Sequence, residues 1–208
     1  MDLELAWDYS RNYPSEPEPM RRARQAALEL GSEPITPGEG ALLANLCRIQ
    51  QTRSAFEVGT GCGLASLYLL SGMPQTGVLT SVELEPELQR QARHALNEAG
   101  VSPNRSRLFT GNALDLMPRM SPGAYDLVLL DGDPEEIPHY LQHATRMLRS
   151  GGLLVIMDAL LHGAVANPIR RDPLPTLLRQ CLEVLEESVE FMPSLVPAGA
   201  GICLAVRN

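Results

Sequence analysis

The sequence contains no lysine, since all 17 of its basic residues are arginines. A catalytic or Schiff-base lysine is therefore excluded. The basic residues are outnumbered by 25 acidic ones, which gives a net charge of -8 at pH 7. Such a chain has no basic stripe that could follow a phosphate backbone. We therefore expect a small molecule, and not nucleic acid, as the partner.

Cysteine is scarce and scattered, and long apolar runs are missing. The four cysteines form no C-x-x-C pair, which argues against a zinc site and a disulfide framework and favours buried thiols in a reducing cytosol. No apolar run reaches the roughly 18 residues of a membrane span. The N-terminus carries Asp2 and Glu4 where a signal peptide would be basic. These absences predict a cytoplasmic protein.

Length and apolar periodicity indicate one α/β domain over residues 1–208. A chain of 208 residues suffices for one domain with a full core and is too short for two. Residues 1–50 predict a helical N-terminal extension, and a capping box from Thr36 to Glu39 predicts a helix over 37–50. From residue 54 onward, short apolar runs alternate with amphipathic stretches, which is typical of a parallel sheet flanked by helices. The sheet core is therefore expected over 54–208.

The same periodicity predicts the individual elements. We expect strands near 54–58, 78–82, 106–110, 125–130 and 152–157, and helices near 63–72, 86–99, 112–119 and 138–149. Asp172 and Pro173 predict the start of a last helix. Two strand-like runs, 190–197 and 202–207, predict an antiparallel hairpin. The fold class is therefore a doubly wound, Rossmann-like α/β fold, with a seven-stranded, mostly parallel sheet and an antiparallel C-terminal hairpin.

A glycine motif, E-V-G-T-G-C-G at 57–63, lies between the first predicted strand and a helix. Glycines allow a sharp turn and a close approach of the backbone to a ligand. A dinucleotide fingerprint needs its third glycine at position 64, where this chain has Leu64. The glycines fall instead at Gly59, Gly61 and Gly63, and this spacing favours S-adenosylmethionine over NAD.

Several strand ends deliver polar groups to the edge where ligands bind in open α/β sheets. Glu57 could hold the amino end of the cofactor, or be a surface acid. Glu83 could accept both ribose hydroxyls, or cap the next helix. Asn112, which precedes Ala113, could contact the cofactor or only cap a helix. Asp131 and Asp133 fall in a loop over the cofactor edge, although Asp133 could instead stabilise a turn.

Three residues at two later strand ends are candidates for the chemistry. Asp131 and Asp158 could share a divalent cation such as Mg²⁺ through their carboxylate oxygens, although two carboxylates alone are a weak metal signal. His162 follows the fifth strand and could be a general base, although a loop histidine often has no such role. Arg170 and Arg171 could hold an anion, and we prefer to interpret them as charges flanking a helix.

The chain resembles the S-adenosylmethionine-dependent O-methyltransferases of the caffeoyl-CoA and catechol type, with a closer likeness to actinobacterial members. The resemblance covers about residues 30–207. It rests on the glycine motif, on V-L-T-S-V-E-L-E-P-E at 78–87, Y-D-L-V-L-L-D-G-D-P at 125–134, L-R-S-G-G at 148–152 and V-P-A-G-A-G at 196–201. It implies methyl transfer from S-adenosylmethionine to a hydroxyl oxygen of a small molecule. We expect the N-terminal helices to cover the site or to form a homodimer. The cofactor contacts implied are Ile35, Thr36, Glu57, Gly59, Thr60, Glu83, Leu84 and either Asp131 or Asp133.

Departures from the family pattern concern the acceptor side. Metal-dependent members have Asp-Asn after the fifth strand, where this chain has Asp158 and Ala159, so one oxygen ligand is missing. Their lysine base is replaced by Pro134. A hydroxyl that often follows the glycines is replaced by Ala65, for which Ser66 could substitute. Two alternatives to an O-methyltransferase therefore stay open, a non-catalytic S-adenosylmethionine-binding protein and an NAD-dependent oxidoreductase.

Overall fold

The structure, a computed structural model, describes residues 3–208. Met1 and Asp2, the first two residues of the predicted extension, lie outside this range. The chain divides into two compact units, of which the first ends at Asn112 and the second runs from Ala113 to Asn208. Its seven strands form one mixed sheet. The prediction of a single domain stays a prediction.

The first unit combines three parallel strands with five helices. Its helices are α1 (Leu3–Arg11), α2 (Glu18–Glu29), α3 (Pro37–Gln50), α4 (Leu64–Gly72) and α5 (Pro86–Glu98), and its strands are β1 (Ser54–Val58), β2 (Val78–Glu83) and β3 (Ser106–Thr110). Strand β2 lies between the other two and is parallel to both, with Glu57 opposite Ser81 and Glu83 opposite Thr110. The helical N-terminal extension is thus observed in α1 to α3.

The capping box fixes the start of α3, as predicted. The Thr36 hydroxyl accepts from the Glu39 backbone N–H at 3.3 Å, and the Glu39 carboxylate accepts from the Thr36 N–H at 2.7 Å. Pro37 occupies the first turn, where its missing N–H is not needed. The helix ends at Gln51, which adopts the left-handed conformation. The predicted helix over 37–50 is confirmed.

The second unit holds the remaining strands and three helices. Its elements are α6 (Ala113–Leu116), β4 (Tyr125–Leu130), α7 (Ile137–Met147), β5 (Leu148–Ile156), α8 (Pro173–Glu187), β6 (Phe191–Val196) and β7 (Ile202–Arg207). Strand β4 is parallel to β5, whereas β7 is antiparallel to both β5 and β6. The prediction of a seven-stranded, mostly parallel sheet with an antiparallel C-terminal hairpin is confirmed.

Several predicted details differ from the structure. Strand β5 begins at Leu148, four residues before its predicted start. The predicted helix over 112–119 is α-helical only in α6 and then tightens to a 3-10 turn at Met117–Arg119, which contains Pro118. Helix α7 begins one residue before Pro138, since proline is tolerated throughout the first turn. Asp172 precedes α8, but its side chain makes no capping hydrogen bond.

Among the described residues, no helix has the length and apolar character to span a membrane.

Helices α3 and α4 approach each other closely because glycines lie at their contact. A Cβ atom on Gly40 would lie 2.2 Å from the ring of Tyr68. A Cβ atom on Gly72 would lie 2.1 Å from the backbone carbonyl oxygen of Ala44. Real Cβ atoms do not approach other heavy atoms so closely. Packing at this contact therefore depends on the absence of a side chain at both positions.

We expect Gly72→Ala to lower the free energy of unfolding by about 1–3 kcal/mol, because the added methyl group must displace the backbone of α3. The higher helix propensity of alanine offsets part of this loss. Ser71→Ala, at the neighbouring exposed position, is the matched control and should change stability by less than about 0.5 kcal/mol. Urea unfolding of both variants checks this. A Gly72→Ala protein as stable as the parent would contradict the close approach.

Candidate functional site

The glycine loop joins β1 to α4 and is fixed against the end of β2. Gly59, Gly61 and Gly63 have φ values of 86°, 53° and 88°, in the left-handed region that favours glycine. The N–H groups of Gly59 and Thr60 both donate to the Val82 carbonyl, at 3.0 and 3.3 Å. A Cβ atom on Gly63 would lie 3.0 Å from the backbone of α5, whereas one on Gly61 would meet nothing within 4 Å. The backbone at Gly61 therefore leaves room for a ligand to approach.

Glu83, at the end of β2, is oriented by the glycine loop. One of its carboxylate oxygens accepts from the Gly61 N–H at 2.7 Å, and the other accepts from the Glu85 N–H at 3.0 Å. Its side chain is buried. Helix α5 has no side-chain capping bond at its N-cap residue Glu85, so the alternative that Glu83 caps this helix is not observed. Each oxygen keeps a further lone pair, so these bonds are compatible with acceptance of the ribose hydroxyls.

Glu57 is fully buried, so its interpretation as a surface acid is wrong. Its Oε2 accepts from the Ser66 hydroxyl on α4, and its Oε1 has no hydrogen-bond partner among the described residues. Burial raises the pKa of this carboxyl to about 7; hydrogen bonds from Ser66 and Ser81 oppose the shift and the Glu83 charge adds to it. A buried carboxylate with one unused oxygen suits a cationic hydrogen-bond donor such as an ammonium group.

Two serines complete this arrangement. Ser66 supplies the hydroxyl that the family pattern places one residue earlier, at Ala65. Ser81 on β2 lies opposite Glu57 in the parallel register and also contacts the Thr60 hydroxyl at 2.5 Å. The sequence analysis missed Ser81. The register of β1 with β2 is the signal that could have found it, because this register places Ser81 next to Glu57.

The other cofactor positions of the first unit have mixed surroundings. Ile35 is buried, and Thr36 is half-buried and caps α3. Leu84 is 62% exposed directly after β2, and Asn112 is exposed at the end of the unit. Ala113, the first residue of the second unit, is buried in α6. Nothing in these surroundings decides their contact with a cofactor, which stays a prediction for all five.

In the second unit, two of the predicted acids follow neighbouring strands. The Met157 N–H donates to the Leu130 carbonyl at 2.9 Å, so the pairing of β4 with β5 continues up to Asp131 and Asp158. Asp131 is half-buried and Asp158 is exposed. Asp133 is exposed, and its carboxylate accepts from the Glu135 N–H at 2.9 Å, which is the turn role left open above. A cofactor contact of Asp133 stays a prediction.

The metal prediction rests on Asp131 and Asp158 alone. Among residues 3–208, no group of three or more histidine, cysteine, aspartate or glutamate side chains is arranged to hold a metal ion. The position after Asp158 is occupied by the buried methyl group of Ala159. The donor set is therefore one ligand short of the family pattern, and the metal site stays a prediction.

His162 and Asp158 belong to a loop with unusual backbone geometry. Asp158, Leu161 and His162 have φ values of 53°, 44° and 52°, a region that residues other than glycine seldom adopt. His162 is exposed. Such conformations persist only where the surrounding structure imposes them, and they cluster at functional sites. The general-base role of His162 stays a prediction.

Residues 197–201, which join β6 to β7, support this loop; we call them the hairpin linker. The N–H groups of Ala159 and Leu160 donate to the carbonyls of Gly201 and Ala200, at 2.8 and 3.0 Å. Gly201 has a φ of 97°, and a Cβ atom there would lie 2.5 Å from the Leu160 side chain. The glycine that closes the V-P-A-G-A-G motif is therefore required by its contact with the loop that carries Asp158 and His162.

Comparison with known proteins adds a consistent set of matches. A family model described as O-methyltransferase matches residues 14–208. A Mycobacterium marinum protein with a provisional O-methyltransferase name is 40% identical over 205 residues, which are 99% of this chain and 92% of that protein. A crystal structure from Corynebacterium glutamicum has a TM-score of 0.92 at 30% identity and covers 100% of this chain and 97% of its own.

A further match is the crystal structure of TomG from Streptomyces achromogenes, an O-methyltransferase involved in tomaymycin synthesis, in complex with S-adenosylmethionine. It has a TM-score of 0.88 at 28% identity and covers 100% of this chain and 99% of its own. The predicted fold class, a Rossmann-like methyltransferase fold, is confirmed by this likeness.

We expect Glu57→Gln to gain stability relative to the parent as the pH rises from 5 to 8. The folded carboxyl has a pKa of about 7 against an ordinary value of 4.5, so between these values the folded state binds more protons than the unfolded state. The free energy of unfolding of the parent therefore falls by about 3 kcal/mol as the pH rises through this window. Glutamine cannot ionise and escapes this loss. Urea unfolding at pH 5 and pH 8 measures the difference.

The control for this experiment is Glu87→Gln, on α5. The pKa of Glu87 is lowered by its hydrogen bonds with Gln91 and Arg90, so any effect of its ionisation on stability falls below pH 4.5. The difference between this variant and the parent should stay flat from pH 5 to pH 8. Equal pH dependence of Glu57→Gln and the parent would contradict the raised pKa.

Proposed function

Since the chain belongs to the O-methyltransferase family, we propose that it transfers the methyl group of S-adenosylmethionine to a hydroxyl oxygen of a small molecule. The observation that carries this proposal is the buried carboxylate of Glu57 behind the glycine loop, one oxygen of which has no hydrogen-bond partner within residues 3–208. The ammonium group of S-adenosylmethionine is a cationic donor that suits this oxygen. The bound S-adenosylmethionine of TomG supports the same choice of cofactor.

The first unit supplies most of the proposed cofactor contacts. Glu57 binds the ammonium group, Glu83 accepts from the ribose hydroxyls, and the loop Gly59–Gly63 lets the backbone approach the ligand. The remaining proposed contacts are Ile35, Thr36, Leu84, Asn112, Ala113, and either Asp131 or Asp133. The NAD-dependent alternative is disfavoured by two observations. The chain has Leu64 where a dinucleotide fingerprint has its third glycine, and it belongs to the O-methyltransferase family.

The proposed acceptor chemistry is carried by Asp131, Asp158 and His162. When bound, the cofactor supplies an electrophilic methyl group on its sulfonium. The protein must then align the acceptor hydroxyl and remove its proton. No lysine is present to act as base. Because Asp158 and His162 share one strained loop, we assign the orientation of the hydroxyl to Asp158 and Asp131 and its deprotonation to His162.

A divalent cation between Asp131 and Asp158 fits this donor set poorly. Water and substrate oxygens complete the shell of a hard cation, but metal-dependent relatives of the caffeoyl-CoA type also provide an asparagine, where this chain has the buried Ala159. Because this protein ligand is missing, we propose that acceptor activation depends on the side chains.

The proposed setting is the cytoplasm, and the proposed assembly is a homodimer. All four cysteines are free and buried, which suits a reducing compartment. Trp7, Tyr9 and Tyr13 expose more than half of their surface on and beside α1. Aromatic residues are enriched in protein interfaces, and this surface supports pairing with a second copy through the N-terminal segment.

We expect Glu83→Gln to weaken the binding of S-adenosylhomocysteine by about 1–3 kcal/mol, because an amide nitrogen cannot accept from a ribose hydroxyl. Glu186→Gln, at an exposed glutamate on α8, is the matched control and should leave the affinity unchanged. Isothermal titration calorimetry measures both dissociation constants. Unchanged affinity in Glu83→Gln would remove Glu83 from the proposed site.

We expect the protein to methylate a catechol or another phenol with S-adenosylmethionine, and to do so in the presence of EDTA. His162→Gln should lower kcat by about 10²–10⁴-fold without changing the affinity for S-adenosylhomocysteine. His94→Gln, an exposed histidine on α5, is the control and should retain the parent kcat. Methyl transfer is followed with labelled S-adenosylmethionine over a panel of phenols.

Two results would change the assignment. Loss of turnover in EDTA that is restored by Mg²⁺ would establish the metal site and refute activation by side chains alone. Binding of S-adenosylhomocysteine without methylation of any phenol would favour the non-catalytic alternative.

A further inference from the structure

The second half of the loop between β5 and α8 has few apolar anchors. Within residues 163–172, Val165 is buried, whereas residues 166–172 are exposed. The Arg170 N–H donates to the Asn167 carbonyl at 3.1 Å, and the Ile169 N–H donates to the Asn167 side chain at 3.0 Å. These bonds shape a local turn but do not attach it to the rest of the unit. A segment with so few buried contacts opens easily unless something else holds it.

Arg179 on α8 provides that attachment. Its Nε and Nη2 atoms donate to the Val165 carbonyl at 3.1 and 3.0 Å. The same Nη2 lies 3.3 Å from the Asn167 carbonyl and 3.4 Å from the Arg170 carbonyl. One half-buried guanidinium thus bridges three carbonyls of the loop to a helix. The planar fork of arginine suits such multiple contacts, whereas a lysine ammonium is a compact point charge.

We propose that Arg179 is a positioning residue for methyl transfer, which holds residues 165–170 and thereby fixes the backbone that carries Asp158 and His162. The inference rests on the proposed function in so far as these two residues act on the acceptor. Two supports hold this stretch from outside it: the hairpin linker accepts from Ala159 and Leu160, and Arg179 donates to the Val165 carbonyl, while the Val165 N–H donates back to the Leu160 carbonyl at 3.2 Å. Without the second support, the backbone at His162 can relax to an unstrained conformation.

Arg146 on α7 offers a matched control within the same unit. Its guanidinium donates to the carbonyls of Met120, Met117 and Pro118 at 2.7, 2.9 and 3.3 Å. It is half-buried, like Arg179, and it also bridges a helix to three carbonyls of a loop. Its loop carries none of the proposed catalytic residues. A variant at Arg146 therefore loses a comparable set of hydrogen bonds elsewhere.

The test compares Arg179→Met with Arg146→Met in the full chain. The protein has only four histidines, so the imidazole signals can be resolved by NMR and the His162 signal can be assigned with His162→Gln. We expect Arg179→Met to shift the His162 signal and to raise hydrogen–deuterium exchange in residues 158–172. Arg146→Met should leave both unchanged. Arg179→Lys, which keeps the charge without the fork, is the second variant and should show the same effects in smaller measure.

Kinetic measurements test whether the contacts of Arg179 with its loop affect catalysis. With catechol as acceptor, we expect Arg179→Met to raise the acceptor KM or lower kcat by about tenfold or more while the affinity for S-adenosylhomocysteine stays within about twofold. An unchanged His162 signal and unchanged exchange in Arg179→Met would overturn the proposal. Equal changes in both methionine variants would also overturn it, because Arg179 would then be a general stabiliser. If Arg179→Met shifts the His162 signal but the parent methylates neither catechol nor another phenol, the positioning of the loop by Arg179 is supported and the proposed function is refuted.

Discussion

The burial of the Glu57 carboxylate is the constraint on which the first unit depends. Removing such a group from water costs several kcal/mol unless hydrogen bonds and a counter-charge offset it. Strand β1 therefore has to end beside Ser81 of β2, and α4 has to begin where Ser66 reaches the same carboxylate. The glycine loop between them is held by Val82 and oriented by Glu83. Among the described residues this arrangement leaves Glu57 Oε1 without a hydrogen-bond partner, so the buried carboxyl is only partly satisfied by the protein.

In this chain, which has no lysine, arginine side chains form hydrogen bonds with backbone carbonyls in addition to ion pairs. Arg105, Arg146 and Arg179 each donate to three backbone carbonyls. These lie in the last turn of α4 and the turn after it for Arg105, in and directly after the 3-10 turn for Arg146, and in the loop before α8 for Arg179. The carbonyls of Pro74, Met117 and Asn167 also accept a backbone N–H, so the guanidinium group adds a second hydrogen bond to each of them. Guanidinium groups thus tie irregular segments to neighbouring elements within each unit.

Local patterns predicted the elements well, because their causes lie within a few residues. The capping box at Thr36 fixed one end of α3, and the spacing of Gly59, Gly61 and Gly63 indicated the loop and its ligand class. What local patterns could not predict depends on other parts of the chain. The burial of Glu57 and the role of Ser81 follow from the register of β1 with β2, which single-strand periodicity does not contain. The bonds of Arg179 to its loop likewise join residues 9–14 positions apart in the chain.

The contact between Gly201 and Leu160 bears on how the loop after β5 can be exchanged between relatives. The loop after β5 and the hairpin linker interlock through two backbone hydrogen bonds and a space that admits no side chain at Gly201. Grafting the loop alone from a relative would combine it with a linker shaped for another partner. The transplantable module therefore consists of two segments that are separate in the chain, 157–172 and 197–201, exchanged together with the arginine at position 179.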